Sequence, residues 1–246
     1  MADAQSQYDA IGRFYEAYAD TAALKRAEAY TVFGNLGDIK GKAILDVACG
    51  FGFYTRAMMS RGASRALGID VSSEMIEIAR HREHSDPTGA EYLVCDCAHL
   101  PVLGQFDIVS AVYLFNYASS KEVMKDMFLG MRKNLRTGCP LIAYTVNPDF
   151  DLHRNSFTKY GITVFSEERI DDGYRARGEF VTDPPTPIEA FRWDAGVYEW
   201  AAAQAGLKHF KWHPIEVPEL EIERHGEEFW RDFRSNCIAA GFSCIA

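Results

Sequence analysis

The chain has 246 residues, 48% of them hydrophobic, and 26 lysines and arginines against 35 aspartates and glutamates give a net charge of −9. This length and apolar content fit one globular domain with a large core. No apolar run approaches the roughly 20 residues of a membrane span. With no Lys/Arg cluster, the chain is a poor partner for nucleic acid or an acidic membrane, which bind through phosphate. The opening Met1–Ala2–Asp3–Ala4–Gln5 lacks the regions of a secretory signal, so a cytoplasmic protein is expected.

Ahead of the first strand, Tyr8, Ile11, Phe14, Tyr15, Tyr18 and Leu24 recur at helical spacing. The pattern predicts an amphipathic helix packed on the sheet. Ile44, Leu45 and Val47 then read as a short buried strand, Ala48 to Gly52 as a turn of small residues, and Phe53 to Ser60 as a helix. A strand passing through a glycine turn into a helix is how a doubly wound sheet builds a nucleotide site. Glycine lets the backbone approach a ligand closely. Asp46, at the strand's C-terminal end, would repel a pyrophosphate and suits a ligand that brings a cation. Thr55 stands where the dinucleotide fingerprint has its third glycine.

Arg65 to Ile69 is the next strand, closed by Asp70. An acid about 20 residues beyond the glycines is placed to hold ribose hydroxyls; the alternative is a helix-capping acid. Ser72 or Ser73 caps the following helix, and Glu74 suits its positive end. Tyr92 to Ala98 is a third strand ending in a carboxylate, Asp96. Ile108 to Val112 is a fourth, with Tyr113, Leu114 and Asn116 at its end. Leu135 to Thr145 holds a helix end, a turn and a fifth strand. Five strands thus alternate with helices between about Gly41 and Asn147, and ligands of such sheets bind at the strands' carboxyl ends.

The pattern Asp46-x-Ala48-x-Gly50-x-Gly52 resembles the first motif of the class I S-adenosylmethionine-dependent methyltransferases. The resemblance implies an α/β fold with a doubly wound, mostly parallel seven-stranded sheet. It implies S-adenosylmethionine as cofactor and S-adenosylhomocysteine as product. The turn, with Asp46, Ala48, Cys49, Gly50 and Gly52, would cradle the methionine portion. Asp70 would hold the ribose, Asp96 the adenine amino group and the Cys97 N–H a ring nitrogen, with Val71, Met75 and Tyr113 completing the site. The N-terminal segment becomes a candidate lid whose Tyr8 and Tyr15 border the sulfonium, an aromatic face attracting a cation by about 0.5–2 kcal/mol. Arg26 would pair with the cofactor carboxylate, or is a solvated helix-face arginine. The implied organisation is a lid over 1–40, a cofactor-binding core over 41–150 and a sheet-closing, substrate-covering part of the same domain over 151–246.

Asn147 to Arg154 reads as a loop at the carboxyl end of the sheet. Tyr160–Phe165, Gly173–Val181 and Ile188–Trp193 look like antiparallel strands covering one side of a pocket. Asp194 caps a helix to Ala205, Gly206 ends it, Leu207–His213 is a final strand, and Glu227–Phe233 is a short helix. Tyr113, Asn116, Tyr117, Tyr144, Asn147, Phe150, Trp193 and Tyr198 are candidate acceptor-wall residues. Aromatics and amides suit a flat, polar heterocycle, and they also fill any aromatic-rich core. Among seven histidines only His153 falls in a loop near the expected pocket, as a base or as a solvated side chain. No metal site is expected. Cys95 and Cys97 point to opposite faces of a strand, and all six cysteines read as reduced thiols.

Three segments, Gln7–Gly12, Ala48–Phe53 and Val112–Tyr117, are similar to those of toxoflavin-type azapteridine N-methyltransferases. This implies methylation of ring nitrogens of a small heterocycle in antibiotic or toxin biosynthesis, by a monomer or homodimer. Positioning alone can supply about 7–11 kcal/mol of such a barrier, so no protein nucleophile is required. The alternatives are an O- or C-methyltransferase of another small metabolite, a nicotinamide-dependent oxidoreductase, or a cofactor-binding protein without chemistry. Asp46 and the missing third glycine speak against the oxidoreductase.

Overall fold

The computed structural model describes residues 23–246; Tyr8, Tyr15 and the rest of the candidate lid over residues 1–22 lie outside the described residues. Helix α1 (Ala23–Leu36) leads into β1 (Ala43–Val47), and the glycine turn connects β1 to α2 (Phe53–Ser60). β2 (Arg65–Asp70), α3 (Ser73–Ser85), β3 (Glu91–Val94), β4 (Ile108–Val112), α4 (Lys121–Asn134) and β5 (Pro140–Val146) complete the alternating half. Most of these bounds follow the expected ones, because the strands are apolar runs ended by a turn or capping signal; β3 is shorter than expected, ending at Val94, and Asp96 instead starts a short helical turn. Ser120, for example, caps α4 by accepting the Val123 N–H at 3.2 Å.

The main sheet has the order β3-β2-β1-β4-β5-β10-β9, with β9 (Lys208–His213) and β10 (Ala239–Ile245) following helix α5 (Ala195–Gln204) and helices α6 (Glu219–His225) and α7 (Glu227–Ser235) respectively. β1 lies at its centre, paired in parallel with β2 and β4. Both faces are covered, so these strands are apolar on both sides. Leu45 and Val47 face a core built with Met124, Phe128 and Met131 of α4 and Tyr198 of α5. Ile44 faces the other way, toward Leu24 and Ala27 of α1, Met58 of α2, and Trp230 and Phe233 of α7.

One expectation is corrected here. Leu207–His213 is not the last strand: β10 follows it and lies antiparallel between β5 and β9. Its sequence starts with Ala239–Ala240–Gly241, small residues with weak strand preference, and its place between β5 and β9 holds it. Helix α6 was likewise not read from the sequence.

A separate antiparallel sheet, β6 (Ile162–Ile170), β7 (Gly173–Phe180) and β8 (Thr186–Trp193), has the order β6-β7-β8. Arg192 ties it to the body. Its Nε and Nη2 donate to Glu167 at 2.7 and 2.8 Å, its Nη1 donates to the Pro148 carbonyl at 2.6 Å, and its guanidinium lies 4.1 Å over the Tyr174 ring.

Close packing beside the centre of the sheet is strict at Gly68, which stands opposite Asp46. A Cβ there would come within 2.7 Å of Thr55 Oγ1 and 2.9 Å of Cys49 Sγ. Gly68→Ala is expected to lose about 1–3 kcal/mol through overpacking. Thermal unfolding should show this as a drop of about 2–4 °C per kcal/mol for a domain of this size; an unchanged melting temperature would show that the Thr55 and Cys49 side chains yield freely.

Candidate functional site

The turn after β1 is wound through left-handed conformations at Ala48, Gly50 and Gly52, with φ of 60°, 54° and 83°. Such values suit glycine and are strained at Ala48. Asp70, at the end of β2, holds the turn from outside: its Oδ2 accepts the Gly50 N–H at 2.8 Å and its Oδ1 the Ser72 N–H at 2.9 Å. The cap of α3 is Ser72, which accepts from Met75, so Asp70 is more than a capping acid. Beside Gly50 an added Cβ would meet no atom within 4 Å, so open space borders the turn there among the described residues.

Asp46 lies under the turn, 1% exposed, and its Oδ2 accepts a 2.7 Å hydrogen bond from Thr55 Oγ1. The residue that breaks the dinucleotide fingerprint therefore holds the carboxylate that the fingerprint lacks. Burial pushes the Asp46 carboxyl up to about 7, against the pull of the Thr55 bond and the Lys25 charge. Cys49 is buried beside it, and burial with two neighbouring carboxylates drives its thiol well above the ordinary range. Cys97 is buried too, while Asp96 is half exposed, accepting the Ala98 N–H at 2.9 Å and pairing with His99 Nδ1 at 2.8 Å. Met75 is buried in a small cluster with Phe51, and Val71 follows Asp70 directly. Tyr92, unforeseen in the sequence, projects from β3 onto Gly52, where a Cβ would meet its hydroxyl at 2.4 Å.

A cleft with about 630 Å³ of empty space, its mouth included, is linked to this turn through Lys25, which lines it and lies 5.2 Å over the ring of Phe53, the residue after Gly52. Tyr113, Asn116 and Tyr117 after β4 form one wall. Leu24, Lys25 and Glu28 of α1 form a second. Ile162, Phe180, Ile188 and Ala190 of the separate sheet form a roof, so the extra strands cover the pocket. Lys25 and Glu28 are 8% and 2% exposed and ion-paired; Glu28 Oε1 also accepts from Tyr54 Oη at 2.5 Å, and the Lys25 ammonium lies 4.6 Å over the Tyr54 ring. The signal that could have found them is a charged i,i+3 pair inside the apolar stripe of α1, between Leu24, Ala27 and Val32.

Several expected residues are elsewhere. Arg26 donates to Glu221 at 2.7 Å, since α6 packs beside α1. Tyr144 is buried behind Tyr113, edge-on at 5.2 Å. Asn147 binds the Cys237 carbonyl at 2.8 Å, because its loop is laced to the start of β10. Phe150 packs on Phe157. Trp193 donates to the Ala118 carbonyl at 3.1 Å, and Tyr198 meets Thr145 at 3.2 Å in the core. His153 lines a different cleft with Phe150 and Leu152. Among the described residues no group of histidines, cysteines and carboxylates is arranged to hold a metal ion.

Residues 44–138 match the family profile described as a methyltransferase domain. The chain carries a methyltransferase domain. The CcbJ methyltransferase from Streptomyces caelestis shares its fold at a TM-score of 0.70, with 17% identity over 100% of this chain and 99% of that one. Two curated relatives match through the methyltransferase domain. The malonyl-[acyl-carrier protein] O-methyltransferase of Hamiltonella defensa is 31% identical over 39% of this chain and 35% of its own length. The tRNA U34 carboxymethyltransferase of Shewanella baltica is 30% identical over 48% and 35%. The chain thus spans about a third of the length of these relatives. The sheet order and the separate antiparallel sheet agree with the class I methyltransferase fold expected from the sequence.

The raised Asp46 carboxyl predicts a pH-dependent stability. Unfolded, the group titrates near 3.9; folded, it holds its proton up to about 7. Its contribution is present below the unfolded value and is lost as pH rises toward and through the folded one, on the order of 4 kcal/mol in all. Asp46→Asn keeps the neutral shape and removes this titration. Denaturant unfolding at pH 5 and pH 8 should show the native protein losing stability relative to the variant; parallel behaviour would place the carboxyl at its ordinary range.

Proposed function

We propose that this protein transfers the methyl group of S-adenosylmethionine to a small-molecule acceptor, a ring nitrogen of a heterocycle such as a toxoflavin precursor. The observation that carries the reading is the adjoining of two spaces. The Asp70-braced turn is open at Gly50, and the half-closed cleft beside it shares Lys25, whose charge acts on Asp46 beneath that turn. The turn fits the cofactor: its backbone is bare where a methionine portion would lie, and Asp70 brings a carboxylate to the edge of that turn.

When bound, the sulfonium supplies an electrophilic methyl carbon. The chain's own residues do the rest. Asp70 and Thr55 fix the turn, Tyr113 would border the acceptor from the cleft wall, and the roof over the cleft would keep water from it. Among the described residues no histidine lines the cleft, which favours a reaction driven by positioning, with the acceptor's proton leaving to solvent. A net charge of −9 weighs against a nucleic-acid acceptor, and the absence of a Pro-Pro-Tyr or Pro-Pro-Phe motif agrees. A cytoplasmic place in specialised-metabolite biosynthesis follows from the resemblance alone.

Calorimetry should show S-adenosylhomocysteine binding, and NAD binding in its place would overturn the assignment. Asp70→Ala removes the brace on Gly50, a charge-assisted bond worth about 1.5–3 kcal/mol, so affinity should fall tenfold or more. Incubating metabolite extracts with methyl-labelled S-adenosylmethionine, followed by mass spectrometry, identifies the acceptor.

A further inference from the structure

The cleft is apolar on most sides and polar at one place. Asn116 is 2% exposed, and its Oδ1 has no hydrogen-bond partner among the described residues. A buried amide oxygen left unpaired is destabilising, and a ligand donor would satisfy it. The other polar groups on the walls are the phenols of Tyr113 and Tyr117 and the Lys25–Glu28 pair, whose charges cancel and whose contacts run to Tyr54 and Phe53. No uncompensated charge faces the cleft among the described residues, so a charged ligand would be desolvated without a counter-ion.

We infer that the acceptor is an uncharged molecule with an apolar body and at least one N–H or O–H, and that Asn116 Oδ1 selects it by accepting that hydrogen bond. The inference rests on the methyltransferase reading and narrows its substrate class. A site built to accept a donor discriminates sharply against an analogue lacking it, because the buried oxygen then stays unpaired. Leu24, Val146, Ile188 and Ile238 would bury the apolar body.

The test uses the full chain saturated with S-adenosylhomocysteine and two probes, benzimidazole, which carries a ring N–H, and 1-methylbenzimidazole, which does not. Calorimetry or ligand-observed NMR should show benzimidazole binding at least tenfold more tightly, equivalent to about 1.4 kcal/mol. Benzimidazole-5-carboxylate should bind more weakly than benzimidazole by a similar factor. In Asn116→Leu the preference between the first two probes should vanish, while S-adenosylhomocysteine affinity stays within about threefold. Equal affinity of the two neutral probes for the native protein overturns the inference without reference to any variant. So does failure of both to bind while S-adenosylhomocysteine binds. If S-adenosylhomocysteine itself does not bind, the wider methyltransferase reading fails, and the inference with it.

Discussion

The hydrogen bond from Gly50 N–H to Asp70 Oδ2 joins the two strands on which the site is built. β1 ends in a turn that needs three left-handed residues, a conformation an unsupported chain rarely holds. β2 ends in a carboxylate whose second oxygen is bound to the start of α3. With that carboxylate in place, the turn, the helix start and the parallel pairing of β1 with β2 fix one another. Thr55 and Asp46 repeat the arrangement from below, and Gly68 leaves the room that Thr55 and Cys49 need.

The buried charges follow the same logic of compensation. Lys25 and Glu28 enter an otherwise apolar interface because each satisfies the other and Tyr54 completes the set. Removing one partner of such a pair is costly, about 3–5 kcal/mol, because the other is stranded. The pair therefore holds α1 and α2 together at the edge of the cleft, and it keeps that edge electrically neutral.

The cofactor half was legible because its determinants are local. The strand, glycine turn, helix and closing acid fall within the run Ala43–Asp70, and each leaves a mark in residue type. The cleft was legible only at Tyr113, Asn116 and Tyr117, which follow β4 of that half. Its other walls come from α1, β5, the separate sheet and Ile238, and no local pattern tells which face of a distant strand will meet them. Trp193 and Tyr198 show the converse: aromatic identity signals burial but not the side on which the ring is buried. β10 escaped notice because Ala239–Ala240–Gly241 belongs to a strand only by virtue of its neighbours.

The attachment of the roof has an evolutionary consequence. β6, β7 and β8 pair with one another through their backbones, and Arg192 and Trp193 moor them to the body at Pro148 and Ala118. None of those bonds involves the side chains of Ile162, Phe180, Ile188 or Ala190, which shape the cleft's ceiling. Exchanging these four for larger or smaller apolar residues would recontour the ceiling while leaving the Gly50–Asp70 contact untouched. The scaffold thus keeps the Asp70-braced turn separate from the ceiling of the cleft, so descendants of one ancestral chain can reshape the one without disturbing the other.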